Sequence, residues 1–422
     1  MGCTFSEAPF IRQNKNFRLV FLGALVSSVG DVLFNFAIGL YILELTHSAF
    51  MLSLYGTIGG VTWLLLAPFG GVMVDRIPRV KVIYFTDFIR GINILLCGLV
   101  MLTVDHVNII MACLCLSSVI SSINGALFGP ASQAIIPLTV EEEQLVKANS
   151  LMSLMYGIKD VFGMLLAGIL YSWLGPIVII FINGFSFIMS GITELFIKLD
   201  ESELLKRAQE SHVLTDLKEG CRYILCQNKA ILWLLIILNF KNLALGPIQS
   251  VLVPYLMNEH LHVNEMYLSA LYVAMALGGI LGSLWVSKEK VLKTNETIKK
   301  SLWTLIICVG IQWALFELLE LGRIPYLGFF LFLFILFIIS GAINVLLYVP
   351  VMASLQRVVS AEFYGRVMSL FTMISSITSP LSLMFGGILI DYVGISMIYL
   401  FSLFFLALSI YLMKEWKTLK QL

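Results

Sequence analysis

Apolar residues run along this chain in long unbroken stretches, not in the alternation of a strand or the one-sided stripe of a soluble helix. A helix needs about 20 residues to cross a hydrocarbon core of ~30 Å. Twelve stretches meet that length, approximately 18–43, 50–74, 80–102, 107–131, 147–173, 176–197, 229–257, 264–286, 299–320, 324–350, 364–390 and 394–413. Their continuity excludes membrane-spanning strands, and only helices satisfy the backbone of such runs in lipid. The polar breaks are short except for 198–228, which divides the chain near its middle. Within it Leu214, Leu217, Cys221 and Leu225 recur at helical spacing opposite Asp216, Lys218, Glu219 and Arg222, predicting a short amphipathic helix on the membrane surface. The expected layout is a terminal segment 1–17, a six-helix bundle 18–197, the linker 198–228, a second six-helix bundle 229–413 and a tail 414–422.

The second half repeats the first. Ser150-Leu151 falls on Ser369-Leu370, and Gly168-Ile169-Leu170 with Gly175 falls on Gly387-Ile388-Leu389 with Gly394. Nearby offsets put Pro130 on Pro350 and Gly71 on Gly282. Two six-helix bundles related by an axis along the membrane normal are the layout of a transporter whose site lies between the halves. The predicted class is therefore an all-α integral membrane protein with twelve transmembrane helices in two pseudo-symmetric six-helix bundles.

Composition agrees with a lipid environment. Charged residues are 13% of the 422 and hydrophobic residues 59%, against roughly 25% charged in soluble proteins. A net charge of +1 leaves no electrostatic footprint for nucleic acid. Charge placement sets orientation: all but four of the 27 Lys and Arg fall at the termini or in the breaks that share their side, the four being Arg90, Lys159, Lys241 and Arg323. By the positive-inside rule both termini are cytoplasmic, in a multi-pass protein of the cell membrane. The seven cysteines suggest no disulfide framework, and neither Cys113-x-Cys115 nor Cys221-x4-Cys226 has the partners of a zinc site. No metal, cofactor or nucleotide site is expected. No Ser/His/Asp, Cys/His or metal constellation lies at one depth, so an enzyme is not expected either.

The strongest local motif is Gly71-Val-Met-Val-Asp75-Arg76-Ile-Pro-Arg79, between spans two and three. Gly71 is expected to let a neighbouring helix approach, Pro78 to stiffen a tight connection, and Arg76 and Arg79 to hold the loop inside. Its form, G-x-x-x-D-R-x-x-R, resembles the loop motif of the major facilitator superfamily. Further residues resemble the macrolide-efflux-like, drug-exporting branch of that superfamily: Asn16-Phe17, Ser28-Val-Gly30-Asp31, Asp87 and Arg90, Pro130-Ala131 through Pro137, Ala148-Asn149-Ser150-Leu151, Asp216 through Tyr223, and Gly365-Arg366-Val-Met-Ser369. The resemblance implies the major facilitator fold and alternating access. It also implies that Asp75 is a gating acid facing the start of helix eleven, where Gly365 and Arg366 lie and the positive end of the helix dipole favours an anion. The second-half copy of the motif, Gly282 to Lys290, has lost its Asp. Span four carries no Arg and span five no Gly-Pro pair in its middle, so the proton relay usual among drug exporters of the superfamily is not carried over.

Ionisable groups inside spans cost roughly 2.5–3.5 kcal/mol each at mid-bilayer on insertion scales, so those retained should face the interior as partners or as working parts. Asp87 and Arg90, one turn apart, are expected to form a structural ion pair beside the loop motif. Lys159 and Asp160 are adjacent, about 100° apart around the helix, and are not expected to pair with each other. Asp31, midway along span one, is the candidate coupling group: a carrier of protons or substrate, a fixed partner of Lys241 or Lys159, or wet cavity lining. Lys241 and Asp160 complete the candidate cavity set with Lys159. Glu194, Glu317 and Glu320 sit near span ends, where snorkelling would account for them. The expected activity is export of amphipathic small molecules such as macrolide-like drugs in exchange for protons, by a monomer in contact with membrane lipid. The alternatives are an endogenous lysolipid, siderophore or peptide as substrate, or a transporter-like sensor that binds without pumping.

Overall fold

The computed structural model describes residues 10–199, 201, 229–288, 294–359 and 361–415. The amphipathic helix expected within the linker, Asp216 included, lies outside the described residues. Those described form helices and connections, with no strand among them. Twelve membrane helices follow in order: α1 Lys15–Thr46, α2 Ala49–Asp75, α3 Arg79–Thr103, α4 Val107–Thr139, α5 (145–174), α6 (176–194), α7 (229–260), α8 Glu265–Lys288, α9 Thr294–Glu320, α10 Tyr326–Val358, α11 Ala361–Tyr392 and α12 Ile395–Glu415. We call the membrane side on which α1 begins the near face and the opposite side the far face.

Helices α5 and α6 share one continuous helical stretch, Leu145–Glu194, of 50 residues. At 1.5 Å per residue such a stretch is about 75 Å long, more than twice the hydrocarbon core. Gly175 resolves the conflict with φ 74° and ψ 172°, and Pro176 follows it. Glycine adopts positive φ without steric cost, and proline has no amide hydrogen to continue the ladder, so the chain reverses there. Helix α7 is irregular in another way: after Lys229–Pro247 it passes through wider π turns at Ile248–Leu252 and Leu256–His260, on either side of Pro254.

The described chain packs as two compact units. The first comprises Met1–Ala37, Leu65–Gly163 and Leu174–Ser211; the second comprises Ile38–Leu64, Met164–Trp173 and His212–Leu422. The far ends of α1, α2 and α5 therefore belong with α7 to α12. In the first unit Phe17, fully buried, packs edge-on to Phe10 at 5.3 Å and joins α1 to Ile136 of α4 and Met152 of α5. Glu201 accepts hydrogen bonds from the backbone N–H groups of Arg79 (2.7 Å) and Val80 (3.2 Å), and its carboxylate lies 3.7 Å from the Arg79 guanidinium. It thus caps the start of α3 with a negative charge, where the helix leaves amides unbonded.

Close helix approaches are repeated in the two units. A Cβ placed on Gly70 of α2 would stand 2.0 Å from the carbonyl oxygen of Ala126 on α4, and one on Gly278 of α8 would stand 2.0 Å from that of Ile338 on α10. Gly282 shows the same relation to Ala342 at 2.7 Å. Gly71, expected to admit the neighbouring helix, has nothing within 4 Å of such a Cβ. One residue is about 100° of helix rotation, which turns Gly71 off the contact that Gly70 makes.

Adding a methyl group against a fixed carbonyl forces backbone movement, at a cost of roughly 1–3 kcal/mol. Gly70→Ala should therefore lower the thermal unfolding temperature of the purified protein, whereas Gly71→Ala should leave it near that of the parent.

Candidate functional site

Polar residues recur at helical spacing on three helices of the first unit, with small or flat residues beside them: Ser27 and Asp31 with Gly23 on α1, Asp87 and Arg90 with Gly91 on α3, and Asn183, Ser186, Ser190 and Glu194 with Phe187 on α6. Missing side chains bring these faces together. A Cβ on Gly30 would fall 2.4 Å from Asn183 Oδ1, one on Gly23 would fall 2.9 Å from Ser190 Oγ, and one on Gly91 would fall 3.0 Å from the Gly184 carbonyl. The polar strips of α1, α3 and α6 are thereby held in direct contact.

Arg90 lies at the centre. Its Nη2 donates to both carboxylate oxygens of Asp31, at 3.2 and 3.1 Å, and its guanidinium stacks 4.2 Å from the centroid of the Phe187 ring. The pair is partly accessible, with side-chain exposure of 15% for Arg90 and 30% for Asp31. The expected Asp87–Arg90 ion pair is not formed. The i,i+3 spacing permits it, but Asp31 offers two acceptors across the helix interface and Phe187 offers a flat face for the guanidinium, and both draw Arg90 away from its own helix. Nor does Asp31 pair with Lys241 or Lys159.

Asp87 is left 0% exposed, with neither carboxylate oxygen hydrogen-bonded. Glu194 is 1% exposed; its Oε1 lies 3.4 Å from the Ser190 hydroxyl and its Oε2 has no partner. Snorkelling therefore does not account for Glu194, although it is the last residue of α6. Because the helix ends against α1 at Gly23, its side chain turns inward. The polar spacing on α6 was the signal for this placement.

Lys159 and Asp160 do pair, with Nζ 3.5 Å from Oδ1, and the same ammonium lies 5.7 Å from the centroid of the Tyr156 ring. Cα directions 100° apart do not prevent this, because the four-carbon lysine stem is long and flexible. Asp160 is 62% exposed in this pair. In the second unit the Lys241 ammonium donates to Asn344 Oδ1 at 3.0 Å, joining α7 to α10. Thr378 of α11 donates to Asn239 Oδ1 of α7 at 2.9 Å. Of the loop motif, Asp75 ends α2, Arg76 is exposed and Arg79 meets Glu201. The side chains of Asp75, Gly365 and Arg366 lie outside the described residues.

A second cluster, unforeseen in the sequence, closes the far face within the second unit. Asp391, near the end of α11, caps the first turn of α2: it accepts from the Ser48 hydroxyl at 2.5 Å and from the backbone N–H groups of Ala49 and Phe50, each at 3.0 Å. His47 lies 2.7 Å from Glu259, Tyr171 donates to Glu44 at 2.9 Å, and Ser172 donates to Glu265 at 2.8 Å. Beneath these contacts Gly60 and Gly56 of α2 admit Pro380 and Leu383 of α11, and Gly387 of α11 admits Ser53. The far ends of α1, α2 and α5 are thus joined to α7, α8 and α11 by polar bonds outermost and by close packing below.

A profile of the Major Facilitator Superfamily matches residues 20–332. Macrolide efflux protein A of Streptococcus pyogenes is 26% identical over 92% of this chain and 92% of its own length. The protein of that name from Enterococcus faecalis is 27% identical over 80% of this chain and 99% of its own. Among solved structures, a bacterial homologue of the iron transporter ferroportin in an inward-facing state superposes with a TM-score of 0.75 at 18% identity, covering 97% of this chain and 99% of that one.

A helix cap of this kind contributes about 1 kcal/mol, or roughly fivefold in the equilibrium between closed and open far faces. Asp391→Ala should therefore speed labelling of a cysteine placed at the buried Ser53 by about that factor. The reagent is a membrane-impermeant thiol compound, used on protein whose native cysteines have been replaced; an unchanged labelling rate would show that the cap does not hold the gate.

Proposed function

The chain belongs to the major facilitator superfamily, and on that premise we propose that it exports amphipathic small molecules of the macrolide-like kind in exchange for protons. It is a multi-pass membrane transporter with the major facilitator fold. The observation that carries the finer reading is the Asp31–Arg90 pair, a partly accessible carboxylate midway along α1 whose counter-ion comes from another helix. Ionised, Asp31 holds α1 to α3 through a charge-assisted bond. A proton on Asp31 removes the charge and frees Arg90, and a cationic amphipathic substrate competes with that proton for the same carboxylate. Mutually exclusive occupancy of one carboxylate by a proton or a cation is the minimum that antiport requires.

The gates complete the cycle. At the far face Asp391 caps α2, and gating at the near face is assigned to Asp75, the last residue of α2. Arg76 and Arg79 keep the intervening loop on the near side, which the distribution of Lys and Arg assigns to the cytoplasm. The similarity to proteins named macrolide efflux protein A supports the substrate class and the outward direction. The transporter works as a monomer in the cell membrane.

Lys241 favours a second reading. It is a partly buried ammonium bonded to an amide oxygen rather than to a carboxylate, an arrangement suited to a substrate that brings its own anionic group, such as a lysolipid.

The test is accumulation of a panel of labelled amphipathic compounds in energised cells. Cells with the parent protein should accumulate less of some cationic compound, and both Asp31→Asn and a protonophore should abolish the difference. Export that survives Asp31→Asn would remove Asp31 from coupling. Loss of export of anionic compounds alone in Lys241→Met would favour the second reading.

A further inference from the structure

We propose that Asp87 and Glu194 form a proton-binding site inside the first unit, holding at least one proton at neutral pH and passing protons between Asp31 and the near face. The transport role rests on the proton-exchange reading above, whereas proton occupancy of the pair does not.

The argument begins with charge. Asp87 and Glu194 are 0% and 1% exposed, and three of their four oxygens have no hydrogen-bond partner. Arg90 from α3 and Asp31 from α1 face Asp87, while Ser190 of α6 faces both acids and Asp87 itself faces Glu194. Helix α4, which packs on α3 through Asn93 and Ser117, has no Asp, Glu, Lys or Arg along Val107–Thr139. The one cation in the cluster, Arg90, is already bonded to Asp31 and stacked on Phe187. If Asp87 and Glu194 were both ionised, two buried negative charges would lie beside an Arg90 already paired with Asp31. An ion buried there without a partner is strongly disfavoured by the loss of its hydration. A proton removes one charge and also repairs the hydrogen bonding, because a protonated carboxyl gains an O–H donor for the other carboxyl or for Ser190.

Position supplies the route. Glu194 is the last residue of α6 at the near face, Asp87 lies two turns into α3, and Asp31 lies midway along α1. Ser190 adjoins the first two and Arg90 the last two. A proton on Asp31 leaves by breaking its O–H bond as one forms on Asp87. Glu194 takes the next transfer through Ser190, and Arg90 rebinds the ionised Asp31. Only O–H bonds are made and broken, and no other reactant enters.

Infrared difference spectroscopy of the purified full-length protein tests occupancy directly, since a protonated carboxyl has a carbonyl stretch that a carboxylate lacks. The parent at pH 7 should show this band, with the deuterium shift of an acid, and should lose it at alkaline pH. The Asp87→Asn/Glu194→Gln double variant should lack it, and each single variant should shift or halve it. Absence of the band in the parent, or its persistence unchanged in the double variant, would overturn the proposal. Folding is controlled by the amide substitutions themselves. Asn closely matches a protonated Asp, so Asp87→Asn should unfold at about the temperature of the parent, whereas a marked loss would mean that Asp87 is an ionised structural partner of Arg90. In proteoliposomes the rate of pH-driven exchange should fall severalfold in Glu194→Gln, and an unaltered rate would remove Glu194 from the route. If the infrared band behaves as expected but no proton-coupled transport occurs, the site stands and the exchange reading fails.

Discussion

Ionised groups in a bilayer must be paired, neutralised or kept wet, and in the first unit one guanidinium decides how that requirement is met. Arg90 has two carboxylates within reach from α1 and α3 and takes the one on α1, leaving Asp87 without a bond. That choice ties α1 to α3, and the Phe187 ring of α6 holds the arginine from a second side. It also leaves the interior with more acids than cations, the imbalance a proton can correct. The glycines at 23, 30 and 91 make the arrangement possible by letting α1, α3 and α6 approach until their polar strips touch. Packing and charge are therefore one problem here, because a wider spacing would admit water and remove the constraint.

The far-face closure uses weaker interactions in larger number. Helix ends leave amides unbonded, and α2 begins with two of them bonded to Asp391. These bonds, with His47–Glu259 and Tyr171–Glu44, sit at the rim. Below them small residues on α2 and α11 interlock without charge. An anion on a helix N-terminus contributes about 0.3–1 kcal/mol when exposed, so no single contact of this kind dominates the closure. Asp75 is the last residue at the other end of α2.

Much of this was legible along the chain, and the remainder follows a physical pattern. All twelve helices were expected, because length and continuous apolarity are local properties that lipid imposes directly. The break between α5 and α6 was expected at 173–176 and falls at Gly175. What the chain did not reveal were partners distant in sequence. Periodicity placed Asp87 and Arg90 on one face, yet the stronger acceptor for Arg90 is on another helix. Glu194 looked like a snorkelling end residue, but close packing at Gly23 turns it inward. A one-residue difference separates Gly71 from Gly70, within the error of any span boundary. Lys159 reaches Asp160 because a side chain is longer than the geometry of its Cα suggests. Asp391 gave no signal of its own, since a carboxylate at the end of an apolar run reads as an exposed terminus until the helix it caps is known.

The most direct test of the account is whether substrate movement drives protons the opposite way through the purified protein. Proteoliposomes with a pH-sensitive dye inside and no imposed gradient would be loaded with a labelled amphipathic substrate and diluted, with substrate and internal pH followed together. The account predicts that substrate leaving through the protein is accompanied by internal acidification, and that Asp31→Asn abolishes the acidification. Substrate efflux through the parent protein with no change in internal pH would contradict proton exchange, and with it the assignment of Asp31 as the group that proton and substrate share.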